Sequence, residues 1–117
     1  MTTRLCILFF LLTTGFLSAQ NSLLRTPRIS PNAQEMAFSY QGDIWVYNFN
    51  TKQTKRITIH EGYETNPVWN TSGDKIAFSS NRKGANNIFT IKKNGGTPKQ
   101  LTYYPTTDTP YNWTSSN

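Results

Sequence analysis

The sequence predicts an all-β fold built from repeated four-stranded units. Three observations lead to this prediction. A pattern of residues recurs after 40 to 44 positions. Turn-forming residues separate short runs in which apolar and polar side chains alternate, as in half-buried strands. Beyond the first twenty residues, no stretch shows the apolar stripe of an amphipathic helix.

The repeat is clearest around a shared Ala-Phe-Ser triplet. Residues 28–39 read RISPNAQEMAFS and residues 68–79 read VWNTSGDKIAFS, so the triplet recurs after 40 residues. In the second half of the unit, DIWV at 43–46 is matched by NIFT at 87–90, after 44 residues. The additional four residues fall within 81–86, whose polar, glycine-containing composition predicts a loop.

Each unit divides into four short strands. In the second unit we predict strands near 67–69 and at 75–79, 87–92 and 99–102. The turn at 94–96, Asn-Gly-Gly, favours a hairpin between the last two strands because glycine adopts positive φ without a steric penalty. The first unit follows the same plan.

This period, with four strands in each unit, is typical of the blades of a β-propeller. We therefore predict a partial β-propeller over 20–117, with two four-stranded antiparallel blades and the start of a third. The predicted bounds are 24–60 for the first blade, 64–104 for the second and 108–117 for the start of the third. A blade is apolar on both faces, so two blades leave a face open. We expect a truncated chain or a fragment of a longer reading frame.

The first nineteen residues are predicted to be a signal peptide with a signal helix. Arg4 provides the positive charge, and the apolar run at 5–12 is too short to span a bilayer. We expect cleavage between Ala19 and Gln20, which removes Cys6, the single cysteine. The mature protein is then exported, to the periplasm or the extracellular space, without a stable membrane span. An uncleaved membrane anchor is the alternative.

The formal net charge is +6, from twelve Lys and Arg and six Asp and Glu residues. A basic chain can bind nucleic acid, but here the charges are dispersed. Two small basic groups flank the predicted hairpin turns: Lys52, Lys55 and Arg56, and Lys92, Lys93 and Lys99. We interpret them as solvated turns and predict no nucleic-acid partner. A polyanion site is the alternative.

The sequence contains no arrangement of residues that predicts catalysis. His60 is the single histidine, and no cysteine remains after cleavage, so neither a Ser-His-Asp nor a Cys-His site is indicated. The acidic residues lack the spacing of a metal loop. We predict no catalytic residue, metal or cofactor. The recurring aromatic residues favour packing between blades over a sugar-binding platform: Trp45, Trp69, Phe89 and Trp113.

The second unit resembles the blades of TolB and tricorn-type propellers, whose pattern is close to N-P-x-W-S-P-D-G-K-x-I-A-F-S-S. The matching residues are NPVWNTSGDKIAFSS at 66–80, followed by NIFT at 87–90, the glycines at 95–96 and QLT at 100–102. The first unit keeps Ser-Pro and Ala-Phe-Ser, but residues 32–33 are Asn-Ala where the pattern has Asp-Gly.

The stretch from Phe38 to Pro110 is most similar to the N-terminal propeller of tricorn-like serine proteases. The segments that carry this resemblance are SYQGDIWV at 39–46 and HEGYETNP at 60–67. The resemblance implies a non-catalytic propeller that admits or filters peptide substrates for a serine protease domain absent from this sequence. Its implied partners are peptides or proteins in the propeller channel and the downstream domains of its own chain.

Two alternatives remain open at this point. One is a TolB-like propeller module that binds envelope proteins. The other is a propeller hydrolase of the prolyl-oligopeptidase type, whose chemistry would also lie downstream of this sequence. A nucleophile elbow of the form G-x-S-x-G after Asn117 would indicate the hydrolase.

Polar residues lead into the first strand of successive units. Glu64-Thr65-Asn66-Pro67 corresponds to Asp108-Thr109-Pro110. In propellers of this type the first strand lines the central channel, so we predict Glu64, Asn66 and Asp108 as possible channel-lining residues. Backbone capping where one blade leads to the next is the alternative.

Overall fold

A computed structural model describes residues 23–114 of the chain. The predicted signal peptide, with its cleavage site between Ala19 and Gln20, lies outside the described residues, as do residues 115–117 of the predicted third blade. Within 23–114 no helix is long and apolar enough to cross a membrane.

Eight strands in the described residues form two antiparallel sheets, which we name blade 1 and blade 2. In each sheet the strands follow one another in chain order, from the first strand to the fourth. This arrangement confirms the predicted all-β fold with two four-stranded blades. The strands of blade 1 are β1 (Arg25–Ile29), β2 (Glu35–Tyr40), β3 (Asp43–Asn48) and β4 (Thr54–Arg56). Those of blade 2 are β5 (Glu64–Trp69), β6 (Lys75–Lys83), β7 (Ala85–Lys92) and β8 (Lys99–Gln100).

The four additional residues of blade 2 lengthen a hairpin. The composition of 81–86 predicted a loop, and this prediction is wrong: β6 continues to Lys83, which lies opposite Ala85 of β7. Gly84, at φ 101°, makes the tight turn between them. Hydrogen bonding to the neighbouring strand extends the sheet although Asn and Lys have low intrinsic strand preference.

The turn between the first two strands is tight in both blades. In blade 1, Ser30 Oγ accepts a hydrogen bond from the backbone N of Glu35 at 3.0 Å, and Ala33 adopts φ 58°. In blade 2, Asn70 Oδ1 accepts from the backbone N of Asp74 and from that of Lys75, the first residue of β6, and Gly73 adopts φ 70°. Blade 1 thus keeps the turn without glycine, at a cost of about 1 kcal/mol for a left-handed alanine.

One hydrophobic core lies between the two blades. Its members are buried side chains from the facing surfaces: Ala37, Ile44, Val46 and Ile57 of blade 1, and Trp69, Ile76, Phe78, Phe89 and Ile91 of blade 2. Alternate residues of a strand point to opposite faces, so each blade has a second face. On the second face of blade 2, Leu101 is 46% exposed, whereas its equivalent in the core, Ile57, is 5% exposed.

Candidate functional site

The candidate site follows the first strand of each blade, because these strands carry the predicted channel residues. The pairing of β1 with β2 shifts register between Arg25 and Arg28, and the pairing of β5 with β6 shifts in the equivalent place. Thr26 at φ 48° and Asn66 at φ 54° lie in these two bulges, and each precedes a proline. Left-handed backbone suits asparagine but strains a β-branched threonine. The bulge is therefore a repeated feature of the first strand.

Three hydrogen bonds fix β5 on blade 1. The backbone N of Glu64 donates to the carbonyl of Gly42 at 2.9 Å. Ser39 Oγ donates to the carbonyl of Glu64 at 2.6 Å. At the other end of the strand, Trp69 Nε1 donates to the carbonyl of Arg28 at 2.9 Å. The first strand of blade 2 is thus held by blade 1 at both ends.

The same three hydrogen bonds recur one unit later, around Asp108. Its backbone N donates to the carbonyl of Asn86 at 2.8 Å, and its carbonyl accepts from Ser79 Oγ at 2.6 Å. Trp113 Nε1 donates to the carbonyl of Val68 at 3.1 Å. Residues 108–114 are therefore anchored on blade 2 as β5 is anchored on blade 1, although the structure assigns them no strand.

A buried ion pair lies at the start of β5. Glu64 is fully buried, and its carboxylate binds the guanidinium of Arg82. Arg82 Nε also donates to Ser80 Oγ at 3.1 Å, and the guanidinium lies over the ring of Phe89, 4.9 Å from its centroid. Burial lowers the pKa of Arg82, and the negative charge of Asp43 opposes that shift. Both charges of the pair are thus removed from water.

A second ion pair, within blade 1, is more exposed. Arg56 Nε donates to the carboxylate of Asp43 at 3.0 Å, and the Arg56 side chain is 41% exposed. In blade 2 the equivalent residues are the neutral Asn87 and Gln100, whose side chains lie 3.5 Å apart. Within residues 23–114, one carboxylate oxygen of Asp43 and one of Glu64 are buried without a hydrogen-bond partner.

We call a joint the place where the first strand of one unit is anchored on the blade before it. The structure places the three predicted channel residues at two joints and one bulge. Glu64 and Asp108 occupy equivalent positions at successive joints, and Asn66 lies in the bulge of β5. Glu64 is fully buried, whereas Asn66 and Asp108 are half-buried. The backbone bonds of Glu64 and Asp108 are those expected of capping between blades. That the three side chains line a channel stays a prediction.

Sequence reasoning missed two kinds of residue at these joints. Ser39 and Ser79 were visible as part of the recurring Ala-Phe-Ser triplet, but the repeat did not reveal that their hydroxyls hold the next blade. Arg82 lies in the residues that blade 1 lacks, so no repeat indicated its role. Arg82 on β6 pairs with Glu64 on β5, and the pairing of these two strands is irregular. A sequence pattern does not reveal such a contact.

The described residues offer little for metal or acid–base chemistry. Within 23–114 no group of three His, Cys, Asp or Glu side chains is arranged to hold a metal ion. His60 lies in the connection between the blades, where its Nδ1 accepts a hydrogen bond from the backbone N of Gly62 at 2.8 Å. The arrangement of the joints is suited to holding polypeptide backbone in fixed positions.

Comparison with known proteins identifies similar chains. Residues 21–117 match the family model described as the tricorn protease N-terminal beta propeller domain. The uncharacterized peptidase YuxL of Bacillus subtilis is 34% identical over 68 residues, which are 57% of this chain and 10% of that protein. Tricorn protease homolog 1 of Streptomyces coelicolor is 27% identical over 86 residues, which are 74% of this chain and 8% of that protein.

The fold is also that of a solved structure. The crystal structure of TolB from Acinetobacter baumannii superposes with a TM-score of 0.62 and 26% identity, covering 70% of this chain and 22% of that one. The chain thus spans 10% or less of the length of the two curated relatives named above.

Proposed function

The chain belongs to the family of tricorn protease N-terminal β-propeller domains, and we propose that it is the non-catalytic propeller part of an exported tricorn-like serine protease. In this role it admits or filters peptide substrates. The observation that carries the proposal is the match of residues 21–117 to a propeller domain of that family. The similarity to a tricorn protease homolog over 86 residues supports it.

In this proposal the substrate passes along the first strands of the blades. Proline within each bulge, at Pro27 and Pro67, removes a backbone N–H donor from the strand. The half-buried side chains of Asn66 and Asp108 then supply the polar groups that contact a passing peptide. The ion pair of Glu64 with Arg82 fixes the start of β5, and thereby the position of the bulge. Such contacts select extended peptides over folded proteins by access to the channel.

The continuation of the reading frame tests the proposal first. A frame that runs from Asn117 through further blades into a serine protease core supports it. A frame that contains a G-x-S-x-G elbow in a hydrolase domain contradicts it in favour of the prolyl-oligopeptidase type. A frame that ends once the ring of blades is complete contradicts it in favour of a binding module.

A protease assay on the protein encoded by that full frame tests the filtering role. Asn66→Trp adds bulk at the bulge, and we expect it to slow turnover of a long unstructured peptide more than turnover of a dipeptide substrate. Asn50→Trp, in the turn between β3 and β4, is the matched control. Equal slowing of both substrates by Asn66→Trp, or the same effect from Asn50→Trp, refutes filtering at this site.

Export is a further part of the proposal. Cleavage after Ala19 would make Gln20 the first residue of the mature protein, which would then act in the periplasm or outside the cell. N-terminal sequencing of the protein recovered from its native host tests this. Recovery of a chain that still begins with Met1 contradicts removal of a signal peptide.

A TolB-like module that binds envelope proteins is the second candidate function. The superposition on TolB, with a TM-score of 0.62 over 70% of this chain, favours it. In this case we expect the protein to bind folded envelope proteins, and Asn66→Trp to leave that binding unchanged. Cross-linking in intact cells, followed by mass spectrometry, distinguishes folded partners from short peptides.

A further inference from the structure

The two blades share one end that is made of turns. The strands of each sheet are antiparallel and follow chain order, so the turn after the first strand and the turn after the third strand lie at the same end. We name this end the turn end. Its turns are residues 30–34, 49–53, 70–74 and 93–98. The blades pack through their faces, so their contact leaves the turn end uncovered.

Most of the lysines lie at the turn end. Six of the seven lysines are in these turns or within two residues of them: Lys52, Lys55, Lys75, Lys92, Lys93 and Lys99. The seventh, Lys83, lies in the hairpin at the opposite end. Two acids lie at the turn end, Glu35 and Asp74, and the other four lie elsewhere in the chain. The fold thus brings lysines from both basic groups of the sequence to one end.

The two acids of the turn end do not neutralise this charge. The carboxylate of Glu35 lies 3.1 Å from Lys93 Nζ, which accounts for one lysine. Asp74 accepts hydrogen bonds from Asn70 and Ser72 within its own turn. Within residues 23–114 the other five lysines of this end form no ion pair with an acid. The turn end therefore carries an excess of positive charge.

The completed contact between the blades shows that these lysines stay in water. Lys52 and Lys55 belong to blade 1, whose facing surface is covered by blade 2, and both are exposed. Lys55 Nζ donates a hydrogen bond to the backbone carbonyl of Asn94 at 2.7 Å, so its ammonium group lies at the turn end. Lys92 and Lys99 of blade 2 are exposed as well. Packing of blades thus leaves these charges available to a partner.

The type of residue at the turn end favours a lipid surface over a protein partner. Lysine is a point charge on a flexible stem, without the planar fork by which arginine binds one carboxylate or phosphate. Lysine is also depleted in protein–protein interfaces, where arginine and aromatic residues are enriched. Separate lysines on both blades suit a layer of anionic headgroups, because each lysine near such a surface adds to the attraction.

An exposed aromatic side chain accompanies the lysines. Phe49 lies in the same turn as Lys52 and is 41% exposed, with its ring edge-on to Tyr47 at 5.3 Å between centroids. Phenylalanine beside lysines is typical of surfaces that lie in the headgroup region of a membrane. A lipid surface removes Phe49 from water, whereas a phosphate backbone leaves it exposed.

We propose that the turn end docks on a membrane surface rich in anionic phospholipid. The lysines bind the headgroup phosphates, and Phe49 enters the apolar layer below them. The occupant of this end is the lipid surface, and neither a segment of this chain nor another protein. The attachment is peripheral and needs no membrane-spanning segment. The proposal does not depend on the proposed function.

Flotation of the full chain with vesicles tests the proposal. One vesicle is phosphatidylcholine alone, and the other contains equal parts of phosphatidylcholine and phosphatidylglycerol. At low salt we expect binding to the anionic vesicles to be about tenfold tighter or more, and the difference to shrink as added salt screens the charges. The neutral vesicles measure binding by the apolar run at 5–12, which does not depend on lipid charge.

Two double variants make the test specific to the turn end. Lys52→Gln with Lys92→Gln is expected to weaken binding to the anionic vesicles about tenfold. Arg25→Gln with Lys83→Gln is the matched control, because it removes the same charge from exposed residues at the opposite end. We expect this control to bind almost as the parent does. Circular dichroism checks that both variants keep the strand content of the parent.

A third variant separates a lipid surface from other polyanions. Phe49→Ser is expected to weaken binding to the anionic vesicles about fivefold, because the apolar contact is lost. The same variant is expected to leave any binding to a DNA duplex unchanged.

Four results would overturn the proposal. One is equal binding of the parent chain to the two vesicles, and another is equal loss of binding in the two double variants. The third is release of the bound chain by inorganic phosphate at the phosphate concentration of the vesicles, which would indicate a site for a single anion. The fourth is tighter binding to a DNA duplex than to anionic vesicles at equal phosphate concentration, which would assign the turn end to nucleic acid.

Discussion

Replacing Arg82 by Ala probes the buried ion pair at the start of β5. The side chains of Arg82 and Glu64 are 10% and 0% exposed, so the substitution leaves a buried carboxylate without its counter-ion. Removing one partner of such a pair costs about 3–5 kcal/mol. Loss of the stacking of the guanidinium on Phe89 adds about 0.5–1 kcal/mol. We therefore expect the free energy of unfolding to fall by at least ~3 kcal/mol.

Arg56→Ala is the matched control. Like Arg82, Arg56 pairs with an acidic residue of its own blade. The Arg56 side chain is 41% exposed and that of Asp43 is 8% exposed, so water reaches this pair more than the pair of Arg82, and we expect a smaller loss. Urea denaturation of the full chain, followed by tryptophan fluorescence, gives both free energies. A loss in Arg82→Ala no larger than that in Arg56→Ala would refute the reasoning.

A second substitution separates the buried charge from lost packing. Glu64→Gln in the Arg82→Ala background removes the unpaired carboxylate, and we expect it to restore more than half of the lost stability. Arg82→Lys keeps the charge but loses the fork geometry of the guanidinium, so an intermediate loss is expected. It provides a measurable variant if Arg82→Ala leaves the chain unfolded.

Three further predictions concern the joints and turns. Ser39→Ala removes the hydroxyl that holds the first carbonyl of β5, and should lower the free energy of unfolding in urea by about 1 kcal/mol. Thr26→Asn replaces a strained β-branched residue by the type found in the equivalent bulge of β5, and should raise stability by up to about 1 kcal/mol, seen as a higher Tm. Hydrogen bonds from Asn70 and Ser72 lower the pKa of Asp74. The ionised carboxylate therefore stabilises the turn above the ordinary Asp pKa, and this is lost as the pH falls through the lowered pKa. Ser72→Ala should move the Asp74 pKa up towards its ordinary value in an NMR titration; an unchanged pKa contradicts the assignment.

The fold was predictable because apolar and polar side chains alternate along the strands of a blade. The repeat shows this alternation twice, at matched positions of the two units. Ala37 and Ala77 lie at the same place in β2 and β6, each opposite a residue of the following strand that the sequence comparison had already paired. The error at 81–86 has a physical cause. A polar segment forms a longer hairpin instead of a loop when neighbouring strands let it continue their hydrogen bonding. The residues of the segment alone do not show whether this is possible.

The candidate site was predictable only in part. The matched positions of Glu64 and Asp108 followed from the repeat, and the structure places their backbones at equivalent joints. The burial of Glu64 did not follow, because it depends on Arg82 folding back over Phe89 from a segment present in one unit. The contact of Lys93 with Glu35, at 3.1 Å across the two blades, was not visible in the sequence, because Phe49 stands at the equivalent position in the first unit.

The three hydrogen bonds that recur at the joints also indicate which segment of the chain can be duplicated with most of these bonds kept within one copy. Each first strand is anchored on the blade before it, through the serine of that blade's Ala-Phe-Ser triplet and through its own tryptophan, which donates to the first strand of that blade. A duplication that starts at β2 and ends with the first strand of the next blade keeps two of the three bonds of a joint within one copy, and divides only the bond of Trp69 to β1. A duplication that follows the visible sheets from β1 to β4 would separate donor from acceptor. The heritable module of this chain is thus offset by one strand from its structural blade.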